Sequence, residues 1–122
     1  MKFQSFYLLS AIFTFFYMTF VPVIEAYQVS VKLDMAAGAC RIWIEDVNHY
    51  RIAGDGKGSY HACDGSDNNQ FEVIDFNDQE YFVVAKVNLS GRDEKVRGSF
   101  NSGSCFRIHG NSASFYFDQT TC

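Results

Sequence analysis

Residues 36–49, AAGACRIWIEDVNH, decide the fold class, because both a helix and a strand are compatible with this stretch. Its apolar residues recur at helical spacing, and Asp34 can cap the first turn through its carboxylate. These apolar positions are Ala36, Cys40, Trp43, Ile44, Val47 and Tyr50. Cys40, Ile42 and Ile44 also fall on alternate positions, which is the competing pattern of a strand. We predict one helix over about 36–49.

On both sides of this stretch the sequence predicts strands. Val29, Val31 and Leu33 alternate with polar residues, as in a short half-buried strand. After a glycine-rich turn and a polar loop come five short runs rich in β-branched and aromatic residues. These runs cover residues 71–76, 81–89, 95–101, 105–110 and 114–117. We therefore predict an α+β domain in which one helix packs on an antiparallel multi-stranded sheet and the opposite face forms a cleft.

The first 26 residues have the pattern of a secretory leader. Lys2 precedes an almost unbroken apolar run over 6–24, and the small residue Ala26 closes it. The run is just long enough to span a membrane, but its N-terminal position and the closing small residue favour a signal peptide. We predict a signal peptide over 1–26, a mature domain over 27–122, and secretion.

The cysteines indicate an oxidising destination. All four, Cys40, Cys63, Cys105 and Cys122, follow the predicted cleavage point. An even count in a short exported chain predicts two disulfides, although spacing alone leaves three pairings open. No two cysteines have metal-ligand spacing, so we predict no metal, and nothing in the sequence indicates a cofactor. Residues 88–90 form a glycosylation sequon at Asn88.

The charge balance excludes one mode of nucleic-acid binding. Ten basic and fourteen acidic residues give a net charge of −4, and removal of Lys2 and Glu25 leaves that value unchanged. A protein that binds nucleic acid by phosphate neutralisation alone needs clustered cations, which this chain lacks. An acidic domain without a basic amphipathic stretch is also a poor candidate for action on membranes. Any RNA contact must therefore be local.

Alternation in two of the predicted strands suggests a charged open face. Phe106 and Ile108 alternate with Arg107 and His109, and Arg97 lies out of phase with its apolar neighbours in the run 95–101. If the apolar sets face the helix, the arginines and the histidine share the cleft. Imidazoles and guanidinium groups on one face are what phosphodiester cleavage needs, as acid, base and charge stabiliser.

Several segments occur in an order that is similar to that of a known family. They are 50–52, 55–56 and 59–61, then 69–72 and 74–76, then Arg97 with Phe100 and Asn101, then His109 with Gly110, Ala113 and Ser114, and a closing cysteine. In this order they resemble the small guanyl-specific fungal ribonucleases of the N, T and U family. The resemblance implies a helix-backed sheet, and disulfides Cys40–Cys122 and Cys63–Cys105.

The resemblance also implies roles for particular residues. His61 and His109 would be the two catalytic histidines, and Arg97 would contact the phosphate. Asn69, Phe71 and Glu72 would belong to the base-recognition loop, with a carboxylate reading the guanine edge.

The general base departs from the family pattern. Where the family has a glutamate soon after paired aromatic residues, Tyr81 and Phe82 are followed by Val83. Valine cannot accept a proton, so Glu80 or His61 would have to act as a weak substitute. We therefore expect little or no cleavage, with an active guanyl-specific endoribonuclease as the alternative.

The mature N-terminus suggests a second resemblance. The leader and the tyrosine at Tyr27 are similar to those of the ribonuclease-like secreted effectors of powdery mildew fungi, although Val29 stands where that family has cysteine. This resemblance implies a virulence protein delivered into a plant cell. It would bind a host protein or RNA without catalysis and could be recognised by an immune receptor.

Overall fold

The computed structural model describes residues 26–66, 68, 70–88 and 93–122. The predicted signal peptide lies outside these residues except for Ala26. Every regular element that they form is a strand, so the predicted α+β class is wrong. The nine strands are β1 Ala26–Met35, β2 Ala39–Glu45, β3 Arg51–Gly54, β4 His61–Ala62, β5 Phe71–Asn77, β6 Tyr81–Val87, β7 Lys95–Phe100, β8 Ser104–Gly110 and β9 Phe115–Thr120.

The strands form two sheets that pack face to face. The first sheet has the order β5-β1-β8-β9, and the second has the order β3-β2-β6-β7 with β4 paired to β2. β1 pairs in parallel with β8, whereas the other neighbouring strands are antiparallel. A parallel pair cannot be joined by a hairpin, so the fold is not a simple meander.

The helix predicted over 36–49 is a strand at its centre, β2, flanked by turns. Ile42 and Ile44 are fully buried between the sheets, while Trp43 points to the opposite face, where the Arg41 guanidinium lies 4.0 Å from its ring centroid. The helical spacing also relied on Val47 and Tyr50, which are exposed by 51% and 70%. The alternating pattern was therefore the correct one of the two competing patterns.

The core is the apolar layer between the two sheets. β1 contributes Val29, Val31 and Leu33, the residues whose alternation predicted a half-buried strand. The other runs predicted as strands are confirmed as β5 to β9, with small differences at their ends. Sheet residues that alternate in and out need a second layer to cover them, and here that layer is another sheet.

Two disulfides are present, as predicted, but the pairing implied by the resemblance is wrong. Cys40 bonds to Cys63, and Cys105 bonds to Cys122. Each bond closes a short stretch, with sequence separations of 23 and 17 residues. The pairing of Cys40 with His61 across β2 and β4 brings Cys63 alongside, which explains the first bond.

No helix among the described residues is long and apolar enough to span a membrane.

The hydroxyl of Tyr81 is expected to stabilise the core. It donates a hydrogen bond to the Ser102 carbonyl oxygen at 2.6 Å and shares another with the buried Ser104 hydroxyl at 2.7 Å. Tyr81→Phe leaves these groups without that partner and should lower the free energy of unfolding by about 1–3 kcal/mol. Urea denaturation measures this change. The control is Tyr116→Phe at an exposed position, and equal stability of the two variants would contradict the prediction.

Candidate functional site

The first sheet presents a continuous outer face to solvent. Side chains that alternate with the buried ones point away from the core on all four of its strands. They include Gln28, Ser30, Lys32, Asp34, Phe71, Val73, Cys105, Arg107, His109, Tyr116, Asp118 and Thr120. We call this set the outer face.

One row across the outer face combines an aromatic ring with charges. Register pairs Phe71 with Lys32, Lys32 with Arg107, and Arg107 with Asp118, so four strands contribute one residue each. Phe71 is 54% exposed. Val73 lies two residues along the same strand and is 51% exposed, so the two form an apolar patch at the β5 side.

Most charges on the outer face are already paired. The Asp34 carboxylate oxygen Oδ2 accepts hydrogen bonds from Arg107 Nε at 2.8 Å and Nη2 at 2.7 Å. The hydrogen bond from Arg107 holds the pKa of Asp34 below its usual range. His109 Nε2 lies 2.7 Å from Asp118 Oδ2. Lys32 forms no ion pair among the described residues, although its positive charge also lowers the pKa of Asp34, two residues along the same strand. Asp75, which points the same way as Phe71 and Val73 on β5, accepts a hydrogen bond from Gln28 at 3.1 Å.

A shallow groove of about 530 Å³ crosses the outer face beside Lys32. The described residues that line it are Gln28, Ser30, Lys32, Phe71, Cys105, Phe106, Arg107, Thr120, Thr121 and Cys122. Two of these side chains are cationic, and none is a carboxylate. The lining therefore combines apolar surface with two cationic side chains, of which Arg107 is paired with Asp34, in a chain whose net charge is −4.

A second cluster lies at the side of the sandwich, where the two sheets approach each other. Asp55 follows β3, His61 belongs to β4 and Glu72 belongs to β5. His61 Nε2 lies 2.9 Å from Asp55 Oδ2 and 3.0 Å from Glu72 Oε2. We call these three residues the carboxylate–histidine cluster. Because Glu72 belongs to the first sheet and the other two lie on the second, the cluster bridges the sheets.

The pKa values of two groups in this cluster, Glu72 and His61, are raised. Burial, together with the hydrogen bond and negative charge of Asp55, raises the pKa of Glu72 to about 8, although His61 opposes the shift. Burial by itself would lower the pKa of His61. The hydrogen bond to the Ala62 carbonyl and the charges of Glu72 and Asp55 outweigh burial, so the pKa of His61 is raised. Near neutral pH the cluster therefore retains protons that the unfolded chain would release.

This shift predicts that stability falls as pH rises from about 4.5 to about 8. The raised pKa of Glu72 means that the folded state binds more protons than the unfolded state over that window. His61 adds to the same trend above its ordinary pKa of 6.5. Glu72→Gln keeps the shape but removes the titrating group, so it should flatten most of the decline.

The measurement is the free energy of unfolding in urea at about pH 5 and about pH 8.5, with EDTA present. Glu80→Gln is the matched control, because Glu80 is an exposed carboxylate outside the cluster. A decline that is equally steep in wild type and Glu72→Gln would contradict the assignment.

The residues predicted to form a ribonuclease site are only partly brought together. His61 and Glu72 are in contact, but with Asp55 as their third partner. His109 lies on the first sheet and interacts with Asp118 instead. The expected convergence of two histidines in one cleft is absent from the described part of the chain.

The other predicted site residues have separate surroundings. Arg97, on β7, donates to the Phe117 carbonyl oxygen at 2.9 Å. Glu80 accepts a hydrogen bond from the Ser99 hydroxyl at 2.6 Å. Phe71 is on the outer face, and Asn69 lies outside the described residues. No face therefore collects the arginine, the carboxylate and both imidazoles.

Sequence reasoning missed the roles of Asp55 and Lys32. In the sequence, Asp55 lies in the glycine-rich turn, and Lys32 is one of the polar residues that alternate with Val31 and Leu33. The sequence contained a weak signal for Asp55, since it precedes His61 by only six positions across a glycine-rich turn. Nothing local indicated that Lys32 and Arg107 would be cross-strand neighbours.

No family model matches the chain, and no curated protein matches it in sequence. Among solved structures it is similar to the human-specific toxin intermedilysin, at 9% identity, a TM-score of 0.47, and coverage of 81% of this chain and 24% of that one. Pneumolysin gives 9% identity, a TM-score of 0.42 and the same coverages. Listeriolysin O gives 13%, 0.39, and coverage of 81% and 23%. The chain thus spans about a quarter of each of these structures.

The resemblances to guanyl-specific ribonucleases and to ribonuclease-like effectors are contradicted. Both imply a helix packed on a sheet, whereas the described residues form two packed sheets. Short, gapped matches of a few residues each can recur by chance in any strand-rich chain with similar turns.

Proposed function

We propose that the protein is an exported binding module that holds an acidic, extended segment of a partner protein in the groove of its outer face. The observation that carries the proposal is the lining of this groove, which is cationic and aromatic in an acidic chain. Export is supported by two disulfides and by the leader pattern of residues 1–26.

The charge pattern favours a ligand with a carboxylate beside an apolar side chain. Lys32 forms no ion pair among the described residues, so a ligand carboxylate would gain a new one there. Phe71 is its cross-strand neighbour and offers more than half of its surface to an apolar ligand group. Aromatic and cationic residues side by side are typical of the central part of protein interfaces.

The sheet holds these groups in place before any ligand arrives. Lys32 belongs to β1, which has hydrogen-bonded strands on both sides, and Phe71 belongs to β5 in direct register with it. The Cys105–Cys122 bond fixes the far side of the groove. A rigid site loses less conformational entropy on binding, so a groove of this size can be selective.

Nucleic acid is a poorer fit to the same groove. Arg107, the other cation of the lining, is already paired with Asp34, which leaves Lys32 as the one cationic side chain of the lining without an ion pair among the described residues. Binding through phosphates requires several such charges and would be opposed by the net charge of −4. We therefore keep the proposal that the protein acts by binding a partner. A plant host and a fungal source rested only on the contradicted resemblance and are not part of it.

The test is selection from a displayed library of random linear peptides against the purified protein. Enriched peptides should share an acidic residue next to an aromatic or aliphatic one. Lys32→Glu and Phe71→Ser should each weaken binding of an enriched peptide at least about tenfold, which is the loss expected for one interface residue worth about 1.4 kcal/mol. Fluorescence anisotropy measures the affinity.

Matched controls are Lys57→Glu, which makes the same charge reversal, and Tyr50→Ser, which likewise replaces an exposed aromatic ring by serine, both at positions away from the groove. They should leave the affinity unchanged. Enrichment of basic peptides, or tighter binding of a single-stranded RNA than of any acidic peptide, would contradict the proposal. Cleavage of RNA by the purified protein would also overturn it.

A further inference from the structure

We propose that Asp55, His61 and Glu72 bind a divalent transition-metal ion, with Zn²⁺ as the first candidate. This site is separate from the groove and does not depend on the function proposed above. The inference starts from the convergence of one imidazole nitrogen and two carboxylate oxygens, all within 4.8 Å of one another, from three successive segments of the chain that belong to two different sheets.

The separations suit ligands of one ion. His61 Nε2 is 2.9 Å from Asp55 Oδ2 and 3.0 Å from Glu72 Oε2. Ligands bonded to Zn²⁺ at about 2.1 Å, with tetrahedral or octahedral angles, are roughly 3.0–3.4 Å apart. Only small shifts of the side chains would therefore be needed for an ion to enter.

The tautomer of His61 leaves a position between Nε2 and the two carboxylates that suits a proton or a cation. Nδ1 lies 3.1 Å from the Ala62 carbonyl oxygen, which can only accept, so Nδ1 carries a proton. A neutral His61 then directs the lone pair of Nε2 at the carboxylate oxygens of Asp55 and Glu72. This arrangement is repulsive unless a second proton or a metal ion lies between them. A backbone carbonyl bonded to the remote nitrogen is also the usual way in which a metal-binding histidine is oriented.

Backbone hydrogen bonds hold Asp55 in position. Asp55 Oδ2 accepts a hydrogen bond from the Ile42 amide at 2.8 Å, and the Asp55 amide donates to the Ile42 carbonyl at 2.9 Å. The side chains of Asp55, His61 and Glu72 are exposed by only 18%, 30% and 15%. Partial burial leaves access for an ion and room for a water ligand while it excludes bulk solvent.

The donor set selects the class of metal. Ca²⁺ and Mg²⁺ prefer oxygen ligands throughout, and an imidazole nitrogen disfavours them. Zn²⁺ accepts nitrogen and carboxylate oxygen together, as does Mn²⁺ with weaker affinity. Three protein ligands leave at least one coordination position for water. The sequence did not reveal this site, because residues 55, 61 and 72 do not have the spacing of a recognised metal-binding motif.

An ion bound here would join the two sheets, because Glu72 comes from the first sheet and the other two ligands lie on the second. A bound cation would also occupy the position of the proton that otherwise separates the imidazole nitrogen from the two carboxylate oxygens. Affinity for the ion should therefore fall as pH decreases.

The test is calorimetric titration of the untagged protein, from which metal ions have been removed with EDTA. Zn²⁺ and Mn²⁺ are titrated separately near pH 7.5. We expect one Zn²⁺ per chain, weaker Mn²⁺ binding, and a rise of several degrees in Tm at saturating Zn²⁺. Between about pH 7.5 and about pH 5.5 the affinity should fall at least tenfold, because the ligands must lose their protons.

Glu72→Gln and Asp55→Asn retain shape and should each weaken Zn²⁺ binding at least tenfold. His109→Gln is the matched control, since this histidine is also hydrogen-bonded to a carboxylate, Asp118, but its ring has no second hydrogen-bonded carboxylate among the described residues. Circular dichroism checks that each variant is folded. His61→Gln should also weaken Zn²⁺ binding. If this variant does not fold, the absorption spectrum of Co²⁺ bound to the wild type, compared with that of Glu72→Gln, tests the same site.

Absence of saturable binding of both ions to the wild type would overturn the proposal. Binding that survives in folded Glu72→Gln and Asp55→Asn but is lost in His109→Gln would overturn it as well. Neither outcome affects the peptide-binding groove, whose variants lie on the other face of β5 or on β1.

Discussion

The pairing of β1 with strands on both of its sides is the constraint on which the rest of the structure depends. β1 lies antiparallel to β5 and parallel to β8, so it joins two parts of the chain that are far apart in sequence. Its inward residues, Val29 and Val31 among them, are fully buried against the second sheet. Its outward residues build the centre of the groove. Without β1 the first sheet would separate into a lone strand and a hairpin, and two-stranded hairpins are marginally stable in water.

The edge strand β5 then carries one residue of each candidate site. Phe71 and Glu72 are adjacent in the sequence, yet Phe71 points to solvent on the outer face and Glu72 points toward the second sheet. The two sites therefore use opposite faces of one strand and have different chemistry. The groove relies on exposed apolar surface and on a lysine that forms no ion pair among the described residues. The carboxylate–histidine cluster relies on partial burial, which makes its negative charge costly until a proton or a cation neutralises it.

The sequence predicted strands well and their assembly poorly. The alternation over Val29 to Leu33 and in the runs that became β5 to β9 reports a local property, because side chains of a strand point to opposite faces whatever its neighbours are. The stretch 36–49 satisfied a helical and an alternating pattern at once, and only packing against β6 distinguishes them. His61 and Glu72 were chosen through a resemblance that proved wrong. They are neighbours for another reason, namely that β4 and β5 meet at the same side of the sandwich.

The sequence by itself determined that the chain would be strand-rich, that its cysteines would form two disulfides, and that it would be acidic with no basic cluster. Tertiary structure alone decided which strands pair, which cysteines bond, and which charges meet. Arg107 and Asp34 form an ion pair across a separation of 73 residues, and no local pattern encodes a contact of that range. The physical reason is that alternation follows from the geometry of a single strand, whereas partners are selected by burying apolar faces against one another throughout the folded chain.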